Sequence, residues 1–189
     1  MTATPGHLEW VAALARVDLL ARPVARALSP LDDVRVAQID PALADTVAFC
    51  AQYGVELAQS ANCVVVAAQR GGDARLAACV VLATTRVDVN GLTLRHLDAR
   101  KSSFAPIEVA AAETGMEHGG ITPIGLPVGW PLLVDAAVAA SPQVVVGSGT
   151  RQSKLLVSGA WLAGLPGAEV VDGLGLPASR KVCEGSSDS

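Results

Sequence analysis

Aromatic side chains and clusters of basic residues are both scarce in this chain. Only 3% of its 189 residues are aromatic, and its 14 Lys and Arg are outnumbered by 18 Asp and Glu and scattered along the sequence. A protein that stacks single-stranded nucleic acid needs several aromatic rings, and one that grips long nucleic acid through its phosphates needs a basic face. We therefore expect no DNA-binding role, although recognition of one nucleotide end is not excluded.

Cysteine pairs with metal-binding spacing are absent from the sequence. The four cysteines, Cys50, Cys63, Cys79 and Cys183, include no C-x-x-C pair, and no pair of histidines lies near them. We therefore expect no metal site, free thiols and a cytoplasmic location. The N-terminus shows no signal-peptide pattern and no apolar run reaches the ~20 residues of a membrane span, so no membrane association is expected.

Apolar sequence is abundant, and its spacing predicts several helices. The chain is 51% hydrophobic, which is enough for a packed domain core. A long helix is predicted over residues 7–30, where Pro23 bends or ends it, and a second over 40–54 with Asp40 as its cap. Further helices are predicted at 106–113 and from Ser158.

Apolar runs bounded by glycine predict strands that mix irregularly with these helices. A turn at Gly71–Gly72 joins the first two strands into a hairpin. Segment 86–100 fits either another hairpin or a short helix capped by Asp88. Strands are predicted at 62–69, 75–85, 101–105, 131–134, 143–147, 154–157 and 168–174. The mixture predicts an α+β fold with a mixed, curled sheet.

Two glycine-rich loops each interrupt a strand-rich region: HGGITPIGLP at 118–127 and GSGTRQSK at 147–154. Glycine lets a ligand approach the backbone and leaves N–H groups available for a phosphate, a carboxylate or an oxyanion. Neither loop has the spacing of a dinucleotide-binding or triphosphate-binding motif. Tight turns without a ligand are the alternative interpretation.

No nucleophilic triad is visible in the sequence. Ser148 lacks the G-x-S-x-G elbow that would present its hydroxyl. His118 fits a general base or a structural residue, and Asp135 fits an N-cap or a site residue.

Four ordered segments together resemble the YbaK/prolyl-tRNA-synthetase-associated domain family. They are NCVVVAA from Asn62, TGMEHGGITPIGLP from Thr114, PLLVDAAV from Pro131 and VVVGSGTRQSKLLV from Val144. We accordingly divide the chain into an N-terminal helical extension at 1–33, an editing domain at 34–176 and a disordered tail at 177–189.

The resemblance implies a trans-acting aminoacyl-tRNA deacylase. Members of that family hydrolyse the ester between a wrong amino acid and the 3′ end of a tRNA, without a metal or an organic cofactor. The implied fold is a mixed, barrel-like curled β-sheet with flanking helices. The expected partners are the 3′ end of aminoacylated tRNA and an aminoacyl-tRNA synthetase, and the N-terminal helix is a candidate homodimer contact.

The resemblance also implies a set of site residues. Gly119, Gly120 and Gly125 would form a backbone wall that stabilises the oxyanion while water or a ribose hydroxyl attacks, and Asp135 would face the pocket. The residues expected to bind substrate are His118, Thr122, Pro123, Ile124, Gly147, Ser148, Gly149, Arg151 and Lys154.

Asn62 departs from the family pattern, because much of the family carries a lysine at the start of the first core strand. An amide donates a neutral hydrogen bond, which is weaker than a charge-assisted one. Either Lys154 or Arg151 supplies the cation, or the substrate differs, or catalysis is impaired. A non-catalytic module that binds an aminoacyl-adenosine is therefore a second hypothesis, and a hydrolase of another small acyl ester is a third.

Overall fold

The computed structural model describes residues 4–177, so Cys183 and the predicted tail beyond residue 177 lie outside the described residues. The strands are β1 Val11–Ala12, β2 Arg35–Gln38, β3 Ala61–Arg70, β4 Asp73–Leu82, β5 Thr85–Val87, β6 Lys101–Phe104, β7 Leu132–Asp135, β8 Val144–Gly147, β9 Ser153–Val157, β10 Ala168–Val171 and β11 Gly175–Pro177. The α-helices are α1 Arg22–Ala27, α2 Thr46–Tyr53, α3 Leu92–His96, α4 Ile107–Thr114, α5 Ala136–Ala139 and α6 Gly159–Ala163. Within residues 4–177, no helix has the length and apolar character needed to cross a bilayer.

The strands form three sheets, which confirms a mixed α+β fold. A four-stranded sheet has the order β1-β2-β9-β8, a five-stranded sheet has the order β10-β7-β4-β3-β6, and β11 pairs with β5. β7 runs parallel to both β4 and β10, whereas the other pairs are antiparallel. The predicted barrel-like closure is wrong, because a barrel needs its first and last strands paired, and the five-stranded sheet ends at β10 and β6.

The largest core cluster draws on both of the larger sheets. Side chains alternate between the faces of a strand, so Ala78 and Val80 of β4 join this cluster with Leu155 of β9 and Val146 of β8. The intervening residues of β4, including Cys79, pack into a second cluster on the opposite face of the five-stranded sheet. β4 is therefore buried on both faces, which explains its continuous apolar sequence.

The N-terminal segment differs from the single helix predicted over residues 7–30. It forms β1, two short 3-10 turns at Ala13–Ala15 and Val17–Leu19, and then α1. Pro23 cannot donate a backbone hydrogen bond, so it is tolerated in the first turn of a helix and not in the interior of a longer one. Pairing of β1 with β2 and complete burial of Val24 make the core continuous across residue 33.

The other predicted helices, strands and turns are largely confirmed, but the cap of the second helix differs. The turn at Gly71–Gly72 joins β3 to β4. Segment 86–100 contains the short helix α3, because the Asp88 carboxylate accepts hydrogen bonds from the N–H groups of Gly91 at 3.0 Å and Leu92 at 2.9 Å. Asp40 caps only a 3-10 turn, and Asp45 is the cap of α2.

Candidate functional site

A notch at the edge of the five-stranded sheet forms a cleft that several of the predicted site residues line. β6 pairs with β3 only from Val66 to Gln69, and the last link is a hydrogen bond from Ala105 N–H to the Val65 carbonyl at 2.9 Å. The chain then leaves the sheet into α4, so residues 62–64 of β3 have no strand partner on this edge among the described residues, and β8 joins it only through the isolated bridge between Ser60 and Val145. The resulting cleft has a volume of about 510 Å³.

The unpaired edge of β3 presents backbone groups to this cleft. Residues two apart in a strand direct their N–H and C=O groups to the same edge, and Val65 directs its carbonyl towards β6. Cys63 therefore has its backbone N–H and C=O on the open edge. This provides a donor and an acceptor that a ligand in the cleft can use.

Segments distant in sequence converge on the cleft. They are the start of α2, the first half of β3, the end of β6 with the start of α4, the first glycine loop, the end of β8 and the start of β9. The lining residues are Ala44, Asp45, Thr46, Val47, Ser60, Ala61, Asn62, Cys63, Val64, Val65, Phe104, Ala105, Ile107, Ala110, His118, Gly119, Ile121, Val146, Gly147, Arg151 and Lys154.

Lys154 is the buried cation of the cleft. Only 6% of the surface of this residue is exposed. The Nζ atom donates a hydrogen bond to the Ala44 carbonyl at 2.8 Å and lies 5.4 Å from the centroid of the Phe49 ring. None of the ion pairs found within residues 4–177 includes this lysine. Burial lowers the pKa of Lys154 to about 8, and the nearby charge of Asp45 only partly opposes that effect. An unpaired buried ammonium is costly, and such perturbed groups cluster at functional sites.

Asn62 is held in the same cleft by a neighbouring hydroxyl. Thr46 Oγ1 donates to Asn62 Oδ1 at 2.7 Å. None of the residues that the structure describes accepts a hydrogen bond from the Asn62 amide nitrogen. Asn62 therefore adds neutral donors to the charged donor of Lys154.

Arg151 clamps the rim of the cleft and is less available to a substrate. Its guanidinium donates to the Pro41 carbonyl at 2.9 Å and to the His118 carbonyl at 3.3 Å, and its backbone N–H donates to the Glu117 carboxylate at 2.7 Å. The His118 side chain is exposed at this rim. Of the two cations, Lys154 therefore has uncommitted donors in the interior, whereas the Arg151 guanidinium is held by two carbonyls.

The two glycine loops pack directly on one another. Gly149 N–H donates to the Gly120 carbonyl at 2.7 Å, and Gly120 N–H donates to the Glu117 carbonyl at 2.9 Å. A Cβ on Gly120 would lie 2.4 Å from the Thr150 carbonyl oxygen, and a Cβ on Gly147 would lie 2.3 Å from the Gly120 carbonyl oxygen. Close packing between the loops thus requires these glycines, whether or not a ligand is present.

Only part of the predicted backbone wall reaches the cleft. Gly119 and Gly147 line it, and no acceptor within residues 4–177 takes the N–H of Gly119. Gly120 lies buried beneath the surface. Gly125 and Gly149 face the N-terminal segment, since a Cβ on Gly125 would lie 2.5 Å from the Pro23 carbonyl oxygen.

Several residues predicted to bind substrate lie in the core. Thr122, Pro123 and Ile124 are buried, and Ile124 belongs to the largest core cluster. The Thr122 hydroxyl has no hydrogen-bond partner within residues 4–177. Ser148 is fully buried and its Oγ donates to the Ser153 carbonyl at 3.0 Å, so it braces the second loop.

Asp135 also lies outside the cleft lining, and its alternative interpretation as an N-cap describes its contacts. The carboxylate is 6% exposed and accepts hydrogen bonds from Ala137 N–H at 2.8 Å and Gly175 N–H at 2.7 Å. It therefore joins the end of β7 to α5 and β11.

Sequence reasoning missed the apolar side of the cleft. Phe104 is exposed where a short edge strand ends, and its position at the end of the KSSF strand was the available signal. Cys63 lies within an apolar run, which is typical of a core residue, yet it also lines the cleft. Burial raises the pKa of the Cys63 thiol, which keeps it protonated and poorly nucleophilic. No group of three or more His, Cys, Asp or Glu within the described part of the chain is arranged to hold a metal ion.

The fold is shared with several solved structures. A protein proposed to be a trans-editing enzyme for prolyl tRNA synthetase has a TM-score of 0.68 and 23% identity, covering 80% of this chain and 94% of its own. A scaffold from epitope backbone grafting by computational design has a TM-score of 0.68 and 24% identity over 80% and 95% of the two chains. The hypothetical protein APE2540 has a TM-score of 0.65 and 24% identity over 78% and 93%.

Family membership follows from the sequence match. The comparison with curated protein sequences found no match. The family model described as the aminoacyl-tRNA editing domain matches residues 40–165, which include β3, both glycine loops and Lys154. Because this match covers more than half of the chain, the protein belongs to the aminoacyl-tRNA editing domain family, the YbaK family.

Proposed function

We propose that this protein is a trans-acting deacylase that hydrolyses the ester between an amino acid and the 3′ end of a mischarged tRNA. The observation that carries the proposal is the donor set of the cleft. Lys154 Nζ, the Asn62 amide and Gly119 N–H belong to one cavity, and none of the ion pairs within residues 4–177 neutralises the lysine. Such a set suits an oxygen atom that gains negative charge.

Ester hydrolysis at this site needs a nucleophile from the substrate or from solvent. The raised pKa of Cys63 makes it a poor candidate, and Ser148 is enclosed in the second loop. A water molecule therefore attacks the carbonyl carbon, either directly or after the neighbouring ribose hydroxyl has taken over the acyl group, because transfer between the two ribose oxygens alone does not release the amino acid. The carbonyl oxygen takes the negative charge and is stabilised by the donors. The bond to the ribose oxygen then breaks, and that oxygen leaves with the proton that the attacking water gives up.

Lys154 takes the part that the family pattern assigns to a lysine at position 62. Asn62 and Lys154 line the same cleft from adjacent regions of the fold, although they are far apart in sequence. A charge-assisted hydrogen bond is roughly twice as strong as a neutral one, so the cation can be supplied from β9 while Asn62 orients the ester.

The cleft favours an aminoacyl group with an uncharged side chain. Its floor contains the small apolar residues Ala61, Cys63, Ala110 and Val146. Asp45 is the carboxylate of the lining and caps α2 through one oxygen, which leaves the other for the substrate's α-ammonium group. We therefore expect amino acids with uncharged side chains to be removed.

A deacylation screen tests the proposal. Purified protein is mixed with tRNAs that carry mismatched amino acids, and release of the amino acid is measured. Lys154→Met should abolish release, whereas the matched change Arg35→Met, at an exposed cation outside the cleft, should not change it. The double variant Lys154→Met/Asn62→Lys should recover part of the activity, since it returns a cation to the cleft. No release from any mischarged tRNA in the screen would overturn the proposal.

A second candidate is a binding module that holds an aminoacyl-adenosine without cleaving it. It is favoured by Asn62 and by the packing role of Gly120, whose N–H is already donated to Glu117. Tight binding of a non-hydrolysable aminoacyl-adenosine amide, with no turnover of the corresponding ester at any pH, would support this candidate. The third candidate, a hydrolase of other acyl esters, predicts equal rates on free and tRNA-linked aminoacyl esters.

A further inference from the structure

We infer that the edge strand β6 guides the single-stranded 3′ end of the tRNA out of the cleft. Phe104 stacks the terminal adenine at the mouth, and Arg100 and Lys101 bind phosphates of the nucleotides before it. This inference rests on the proposed function, because it extends the path of the substrate beyond the aminoacyl group.

Phe104 is the aromatic ring available at the mouth of the cleft. It is 60% exposed and lines the cavity beside Ile107, which is 51% exposed, and Val47, which is 67% exposed. These apolar side chains form a hydrophobic rim that continues the apolar floor. The chain has too few aromatics for a long stacking platform, but one ring suffices for one base.

Two basic residues follow along the same edge. Arg100 and Lys101 are exposed and line a groove of about 420 Å³ with Gln69, Asn90 and Ser103. No ion pair found among the described side chains includes either residue.

Two neighbouring arginines, Arg70 and Arg75, are committed to the protein itself. Arg70 forms an ion pair with Asp98, and Arg75 donates to the Leu97 carbonyl. Arg100 and Lys101, which line the groove, remain available to a phosphate. Because the protein has a formal net charge of −4, a local cationic strip is also needed to orient RNA on its surface.

The spacing of these residues suits the end of a nucleic-acid strand. Lys101 and Phe104 are the two ends of β6, so about 10 Å separates them at the usual rise of a strand. At roughly 3.4 Å per nucleotide of stacked strand, this distance covers about three nucleotides. Because side chains alternate along a strand, Arg100 lies on the same face as Phe104 and Lys101 on the other face of this exposed edge. With the aminoacyl ribose in the notch, Arg100 would meet a phosphate within the unpaired end of the tRNA from one side and Lys101 from the other.

Three substrates of increasing length test this path. They carry the same amino acid as an ethyl ester, as an ester of adenosine and as an ester of full-length tRNA. Phe104→Leu should raise KM about 10-fold for the adenosine and tRNA esters and leave the ethyl ester unchanged, and Phe104→Tyr should restore the lost affinity. Arg100→Ala/Lys101→Ala should raise KM for the tRNA ester alone, with kcat unaltered.

Salt dependence identifies the phosphate contacts. Loss of two contacts should lower the slope of log KM against log salt concentration by about 1.4, at about 0.7 for each contact to a single strand. Arg35→Ala is the matched control, because Arg35 is a partly exposed arginine in a separate groove beside Trp161, and it should leave the slope unchanged.

The outcomes separate this inference from the proposed function. If the wild-type protein hydrolyses none of the esters, the proposed function fails, and binding of an uncharged RNA hairpin with a CCA end still tests the path. Weaker hairpin binding by Arg100→Ala/Lys101→Ala supports it. The alternative role of Lys101 is structural, because a lysine on an edge strand prevents pairing with other chains. If the double variant aggregates but keeps wild-type KM, salt slope and hairpin affinity, the inference is overturned.

Discussion

Replacement of Lys154 by Met should stabilise the protein while it removes activity. Burial lowers the pKa of Lys154 from 10.5 to about 8. Each pKa unit corresponds to about 1.36 kcal/mol, so the charged lysine costs the folded state about 3 kcal/mol near neutral pH. Methionine has a similar length and no charge, but it loses the hydrogen bond to the Ala44 carbonyl, which contributes about 1 kcal/mol. The expected net gain is about 2 kcal/mol.

The gain should depend on pH in a defined direction. Between about pH 8 and 10.5 the unfolded chain binds more protons at this lysine than the folded protein does, so wild-type stability rises with pH in that window. At about pH 10 the folded lysine is already neutral, and the advantage of the Met variant should fall to about zero.

Thermal unfolding at two pH values measures this effect. A gain of about 2 kcal/mol should raise Tm by about 4–8 °C near pH 7. Lys101→Met is the matched control, because the same chemical change at an exposed lysine should leave Tm within about 1 °C. A lower Tm for Lys154→Met at neutral pH, or an advantage that does not shrink at pH 10, would refute the assignment of Lys154 as an unpaired buried cation.

Further changes test the site and its support. With Lys154 as the required cation, kcat/KM should fall above about pH 8 as the lysine loses its proton, and in Lys154→Arg this fall should move well above that pH. A wild-type kcat/KM that rises steadily through pH 9, after subtraction of spontaneous hydrolysis, would contradict this. Gly120→Ala places a Cβ against the Thr150 carbonyl and should destabilise the protein by about 1–3 kcal/mol, which urea unfolding would measure. Asp135→Ala should cost about 1–2 kcal/mol through the lost cap and the lost bond to Gly175 without changing KM, and a raised KM would return Asp135 to the site.

The strands could be predicted from sequence because their cores are continuous apolar runs. β3, β4 and β9 are long enough for this pattern, and Gly71 with Gly72 marks the turn between the first two. The N-terminal segment could not be predicted, because its periodicity suits a helix while Pro23 and pairing with β2 decide the outcome. The sequence of residues 7–30 by itself does not indicate the pairing of β1 with β2.

The site was predictable in part for a similar reason. The glycine loops mark positions where the backbone closely approaches another group. Sequence alone does not tell whether that group is a ligand or a second loop. Gly120 packs against Thr150 of the second loop, whereas Gly119 lines the cleft. The length of β6 relative to β3 opens the notch, and this depends on strand register, which no motif records.

The N-terminal segment supports the second glycine loop through hydrogen bonds. Thr150 Oγ1 and Ser153 Oγ both donate to the Leu19 carbonyl, at 3.0 and 2.6 Å, and Ala21 N–H donates to the Ser148 carbonyl at 3.1 Å. Residues 18–24 thus act as a brace for the second glycine loop, although the family model begins only at residue 40. A shortened protein that keeps just the family-matched region would leave that loop unsupported, so the arrangement of Lys154 belongs to a larger unit than the editing domain alone.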